Sequence, residues 1–171
     1  MHFAAKRGDV EILEELFAAG ASITTPSSFD AQMYPIHWAA SDNKLKALKF
    51  LLEHRQDVNA TDSNGCTPLI IATQYGHIEA AAYLIKHGSD LSARDYNGDT
   101  ALHWAAYKGF EELVGLLLHF VPVLLDSEDN YGQVYLRACM NMYVHIYMYI
   151  CLCMCVQFIE SMLCDVARHH S

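Results

Sequence analysis

The sequence predicts an all-α solenoid of about four helix-turn-helix repeats with β-hairpin fingers, followed by an apolar C-terminal tail that does not share the repeat. Three observations predict it. Asp62-Ser63-Asn64-Gly65-Cys66-Thr67-Pro68-Leu69 returns 33 residues later as Asp95-Tyr96-Asn97-Gly98-Asp99-Thr100-Ala101-Leu102. Each copy runs through small residues (Ala72; Ala105-Ala106) to a glycine, Gly76 or Gly109, and then into a second apolar-periodic segment. From Val134 to Ser171 the chain has no glycine and no proline, and the pattern is gone. A chain of 171 residues has room for one domain, and a repeat array buries its core between successive units.

Within one unit, Asp95 to Asp99 is turn chemistry, with Asn97-Gly98 able to supply positive φ for a tight finger. Thr100 and Thr67 are placed to cap the first helix, and Pro68 occupies the first helical position, where its missing N–H costs nothing. Alanines keep that helix thin so that neighbouring repeats approach closely. Gly109 stops it in the left-handed conformation. Leu113, Leu116 and Leu117 then share one face of a second helix. A 33-residue unit of finger and two helices resembles the ankyrin-repeat family.

In chain order, Met1-His2-Phe3-Ala4-Ala5 matches the middle of the helix-opening motif, so the chain starts inside a repeat, either as a natural N-terminal cap or as a truncated start. Gly8 fits the helix stop, and Ile12, Leu13, Leu16 and Phe17 form the second helix, ended by Gly20. Repeat two carries two additional residues within Thr24 to Met33. Tyr34 replaces the capping threonine, an expected loss of roughly 1 kcal/mol, and Asn43 stands in the glycine place as the next-best residue for a left-handed position. Leu45, Leu48, Leu51 and Leu52 are expected on its second helix. The repeats span about 1–30, 31–61, 62–94 and 95–128, a fifth finger begins at 129–133, and the repeat domain is 1–133.

The net charge of −9 lies wholly before Val134, with nine Lys/Arg against eighteen Asp/Glu there and two against two afterwards. An acidic module repels phosphate backbones, which excludes nucleic acid as the expected partner. Of six cysteines only Cys66 lies in the repeats, which argues for a reducing compartment and against a disulfide framework. The chain opens without a secretory signal, and the expected location is cytoplasmic.

His37 and His103 recur at one repeat position, and the local helix-opening motif explains them better than acid-base catalysis; Ile70 stands there in repeat three. No nucleophile elbow, phosphate loop or zinc-protease motif is present. Cys151, Cys153 and Cys155 with His169 and His170 are spaced too closely for a structural zinc site. The expectation is no catalytic residue, no metal and no cofactor.

The ankyrin resemblance implies another protein as partner, bound through finger tips and outward positions of the first helices. By repeat position these are Lys6 and Arg7; Ser41 and Asp42; Ser63, Asn64, Cys66, Gln74 and Tyr75; Tyr96, Asn97, Asp99, Tyr107 and Lys108. Trp38 and Trp104 stand at equivalent places near the same concave face, where partner contact and inter-repeat packing are both open readings. Leu51, Asp57, Val58 and Asn59 resemble the context in which ankyrin asparagines are hydroxylated at the β-carbon, which makes Asn59 a modification candidate; the alternative is an asparagine that hydrogen-bonds finger backbone.

Ile36-His37-Trp38-Ala39-Ala40-Ser41-Asp42-Asn43 and Leu102-His103-Trp104-Ala105-Ala106 are similar to the tryptophan-bearing repeats in the N-terminal ankyrin domain of DHHC-type protein S-acyltransferases, or palmitoyltransferases. The resemblance covers Met1 to Gln133. No Asp-His-His-Cys motif occurs in the sequence, so it implies at most the recognition fragment of such an enzyme, on the cytosolic face of the Golgi or another endomembrane.

Residues 134–171 are read as an apolar low-complexity tail outside native coding sequence. From Val134 to Val156, residues whose codons can be purine-pyrimidine-purine alternate with residues whose codons can be pyrimidine-purine-pyrimidine, broken only at Leu136, Asn141 and Leu152. A translated TG/TA repeat has that form, and Gln133-Val134-Tyr135 can be written as an exon end followed by an intron donor. The competing reading of Met142 to Ile159 is a membrane anchor, interrupted by His145 and Gln157. A membrane enters as partner only through that tail or a missing downstream domain.

Overall fold

The computed structural model describes residues 1–28 and 31–120. The chain divides into two units, Met1–Tyr135 and Leu136–Ser171, and every described residue belongs to the first. The fifth finger, the membrane-anchor reading and the tail therefore lie outside the described residues.

Among the described residues eight helices follow one another: α1 (His2–Arg7), α2 (Val10–Ala18), α3 (Pro35–Ser41), α4 (Leu45–Glu53), α5 (Pro68–Gln74), α6 (Ile78–Lys86), α7 (Ala101–Lys108) and α8 (Glu111–Phe120). They form two rows. The short first helices α1, α3, α5 and α7 pack side by side, and the second helices α2, α4, α6 and α8 form the row behind them. The first row is close-set because its contact residues are small: Ala4, Ala5, Ala39, Ala40, Ala72 and Ala105 are buried.

One backbone device turns the chain between rows in every repeat. Gly8, Asn43, Gly76 and Gly109 all adopt positive φ, at 79°, 55°, 78° and 74°. The next residue's N–H then reaches back to an alanine carbonyl of the first helix: Asp9 to Ala4, Lys44 to Ala39, His77 to Ala72 and Phe110 to Ala105, at 2.8–3.0 Å. This closes orphan carbonyls at the helix end and reverses direction within two residues. Asn43 adds what glycine cannot. Its side-chain oxygen accepts the Ala80 N–H at 3.1 Å and its amide donates to Glu79 at 3.0 Å, tying repeat two to repeat three.

The helix starts follow the caps. Thr67 Oγ1 accepts the Ile70 N–H at 3.3 Å and Thr100 Oγ1 accepts the His103 N–H at 3.4 Å. Tyr34 supplies no side-chain cap, yet that end keeps a compensating bond, because the Tyr34 N–H donates to His37 Nδ1 at 3.1 Å.

Two expectations change. Among the described residues the fingers contain no strand; fingers three and four are turns, crossed by the Asp62 N–H to Cys66 carbonyl bond at 3.1 Å and the Asp95 N–H to Asp99 carbonyl bond at 3.0 Å, with Gly65 and Gly98 N–H groups donating back to the Asp62 and Asp95 carbonyls. The second helices also bury a different selection. On α4 the buried residues are Ala47, Leu48, Phe50 and Leu51, while Leu45 is exposed. On α2 only Leu13 is buried, and Ile12 and Phe17 keep 43% and 40% of their surface. A helix at the first position of an array has a described neighbour on one side only, so half of its apolar stripe stays open.

Candidate functional site

The fingers are organised by carboxylates. Asp62 Oδ1 accepts the N–H groups of Asn64 and Cys66, both at 2.8 Å. Asp95 Oδ1 repeats this with Asn97 at 2.9 Å and Asp99 at 3.0 Å. Both aspartates are buried. Successive fingers join through backbone bonds, Ser63 N–H to the Ala31 carbonyl at 2.8 Å and Tyr96 N–H to the Asn64 carbonyl at 2.9 Å. The close approach needs Gly65, whose φ is +77° and whose absent Cβ would stand 2.8 Å from the Tyr96 ring. Tyr96 is thereby laid across finger three while remaining 74% exposed.

His37 works between repeats. Its Nδ1 accepts the Tyr34 N–H, so the proton sits on Nε2, which donates to the Cys66 carbonyl at 3.0 Å. Burial lowers its pKa from the ordinary 6.5, because the charged form would lose its hydration. A neutral imidazole spent on two backbone groups, with no opening to solvent, is a structural staple. His103 Nδ1 likewise accepts from the Thr100 N–H at 3.2 Å. Cys66 is buried, its thiol pushed up to about 12 first by desolvation and then by Asp62. Burial and the raised pKa both favour the neutral thiol, and it does not present the outward side chain expected at its position. Among the described residues no group of His, Cys, Asp and Glu could hold a metal ion.

Asn64, Gln74, Tyr75, Tyr96, Asn97 and Trp104 line one concave cavity of about 360 Å³ between fingers three and four and the first helices behind them. Asn64 and Asn97, 33 positions apart, meet there because the period places equivalent residues side by side. Trp104 does two jobs. Its indole N–H donates to Asp95 Oδ2 at 2.9 Å, and its ring meets Tyr107 edge-on at 6.1 Å. Tyr107 is exposed, with the Lys108 ammonium 5.8 Å from its ring centre. The tryptophan is therefore half packing and half surface.

The remaining candidates lie apart. Trp38 borders a separate cavity of about 700 Å³ against α1 and the loop after Thr25, with Lys6 Nζ 4.6 Å above its ring. Ser41 is turned inward: its hydroxyl donates to the Trp38 carbonyl at 3.0 Å, its carbonyl faces His77 Nε2 at 2.8 Å, and Asp42 is half-buried beside it. Asp99 is half-buried at the base of its finger. Asn59 bridges repeats, its side-chain oxygen accepting the Asp90 N–H at 2.9 Å. Sequence reasoning missed Asp62 and Asp95 as wall residues. The repeated Asp-x-x-Gly signalled them, but as turn formers.

Among the described residues no helix is long and apolar enough to cross a membrane. The family model of ankyrin repeats in three copies matches residues 1–95 and 57–129. Over 79 residues the chain is 34% identical to potassium channel AKT1 of Arabidopsis thaliana, a match covering 44% of this chain and 9% of the channel. It is 32% identical over 76 residues to probable E3 ubiquitin-protein ligase XBOS32 of Oryza sativa subsp. japonica, covering 44% of this chain and 15% of the relative. With palmitoyltransferase AKR1 of Gibberella zeae identity is 40% over 55 residues, 32% of this chain and 7% of that protein. The chain thus spans a small fraction of each relative, and the three differ in named activity.

Proposed function

This chain belongs to the ankyrin-repeat family, a protein-interaction module, and on that premise we propose that its partner protein seats on the concave wall between fingers three and four. The observation that supports this reading is the convergence of Asn64, Gln74, Tyr75, Tyr96, Asn97 and Trp104 on one cavity. Tyr75, Tyr96 and Tyr107 add exposed rings whose area is held at low entropic cost. Asp99 and Lys108 flank that contact; Trp38, which borders the separate cavity, and Ser41 and Asp42 lie outside it. Ankyrin repeats are non-catalytic, and the chemistry of the wall, amides, phenols and tied carboxylates, is that of recognition.

The test is capture of partners from cells with the native chain and with two variants, Tyr75→Ala with Tyr96→Ala, and Trp104→Ala with Tyr107→Ala. A specific partner retained by the native chain and lost by both variants supports the wall. Retention by both removes it.

A second reading makes the repeats the recognition part of a membrane S-acyltransferase that presents a cysteine-bearing substrate, at a cytosolic membrane face. The similarity to palmitoyltransferase AKR1 is compatible with it, as the other similarities are with other activities. Genomic sequence downstream of this locus that lacks an Asp-His-His-Cys segment and paired membrane helices would discard it. The same locus tests the tail. If transcripts across Gln133 splice to a threonine-proline-leucine-histidine-like continuation, residues 134–171 are intron-derived; if all read through to Val134, they are not.

A further inference from the structure

Repeat three departs from its neighbours at one place on the first helix, where Ile71 occupies the position of Trp38 and Trp104. In repeat four the Asp95 carboxylate is fully used, Oδ1 by its finger and Oδ2 by the indole of Trp104 at 2.9 Å. In repeat three Asp62 does the same finger work through Oδ1, but Ile71 offers no donor. Oδ2 is left buried with no partner among the described residues, in a side chain only 5% exposed. A buried acceptor without a donor is a standing cost.

Asp62 is among the residues lining the 360 Å³ cavity, with Oδ2 itself covered. The charged side chains lining it are Asp62 and Asp95, with no lysine or arginine among the described lining residues. The phenol rings of Tyr75 and Tyr96 and the indole of Trp104 complete the wall. An acceptor lacking a donor, two carboxylates and flanking aromatic faces together describe a seat for a planar cation. Guanidinium suits it better than ammonium, because it donates in a plane and stacks on rings.

We propose that this cavity receives an arginine side chain of the partner protein, which donates to Asp62 Oδ2 and lies against Tyr75 and Tyr96. Gln74 is the side chain that yields to admit it, being held at the wall by a single amide-to-sulfur contact with Cys66 at 3.7 Å. The inference rests on the concave-wall reading and adds the chemistry of what enters it.

The experiment uses the full chain, labelled with nitrogen-15, titrated with acetyl-Gly-Arg-Gly-amide and with the same peptide carrying uncharged citrulline. The arginine peptide is expected to give saturable shifts at the amides of Asn64, Cys66, Tyr96 and Asn97, and citrulline none. Asp62→Asn keeps the Oδ1 acceptor but puts an NH₂ group at Oδ2, and should weaken binding by roughly tenfold or more. Ile71→Trp gives Asp62 the indole donor of repeat four and fills the cavity; it should abolish binding while leaving the melting temperature unchanged or higher. This variant decides the question even if Asp62→Asn fails to fold. No shifts with arginine, equal shifts with citrulline, or binding that survives Ile71→Trp would overturn the proposal. The partner-capture result would still stand by its own test, since it asks where a protein binds and not what enters this cavity.

Discussion

Replacing His37 by isoleucine tests the claim that the recurrent histidine is a structural staple. Isoleucine already stands, buried, at the equivalent place in repeat three as Ile70, so the change creates no large void. It orphans two groups: the Tyr34 N–H, which His37 Nδ1 accepts at 3.1 Å, and the Cys66 carbonyl, to which Nε2 donates at 3.0 Å. Each buried orphan costs about 1–3 kcal/mol, and the extra apolar burial returns about 1 kcal/mol. The net loss is about 1–5 kcal/mol, with a mid-range near 3, which for a domain of this size lowers the melting temperature by about 10 °C. The sign of the pH effect follows from burial. Folded His37 has a pKa below the ordinary 6.5, so its contribution is complete above that pH and is lost as the pH falls below it, where the unfolded chain takes up the proton first. Urea titrations followed by far-UV circular dichroism, run above and below that pH, measure both effects. His37→Ile should lower the midpoint and flatten the acid-side fall, leaving the smaller slope from His2, whose pKa is also lowered, chiefly by burial. A midpoint equal to the native one, or an unaltered acid-side slope, would refute the staple.

Gly65→Ala should cost about 1–2 kcal/mol from the left-handed backbone alone, and more if Tyr96 cannot move from the 2.8 Å approach; chemical denaturation measures the cost and tyrosine fluorescence reports the ring. Cys66, with its thiol pushed up to about 12, should resist iodoacetamide at neutral pH in the folded chain and react in urea, as peptide mapping will show. Asn59 hydroxylation predicts a peptide from cells heavier by one oxygen. Its amide already accepts from Asp90, so an unmodified peptide leaves it as a bridge between repeats.

How much was legible depends on whether a feature is local. The left-handed stops at Gly8, Asn43, Gly76 and Gly109, the threonine caps and the thin alanine-lined helices are decided by φ, by Cβ sterics and by bonds within five residues, and a sequence carries all of these. Arg55 shows the limit even there. It adopts φ 65° in the place that Gly20 and Gly88 hold in other repeats, because a single αL residue is affordable where the helix end is otherwise closed, here by Gln56 N–H to the Leu51 carbonyl at 3.0 Å. Choosing Ala47 and Phe50 for burial over Leu45 depended on the neighbouring helices, since Phe50 packs edge-on to Phe17 of α2 at 6.2 Å.

The period alone determined which residues are equivalent, and so that Asn64 and Asn97, or Gln74 and Tyr107, occupy matching places. Tertiary structure alone decided which of them share a cavity and which turn inward, as Ser41 does. The contrast between Asp62 and Asp95 marks the boundary. Both read as turn formers, and both serve a finger through Oδ1. Whether the second oxygen finds a donor depends on a residue nine positions on, on how far its side chain reaches across the groove, and on nothing that a local rule encodes.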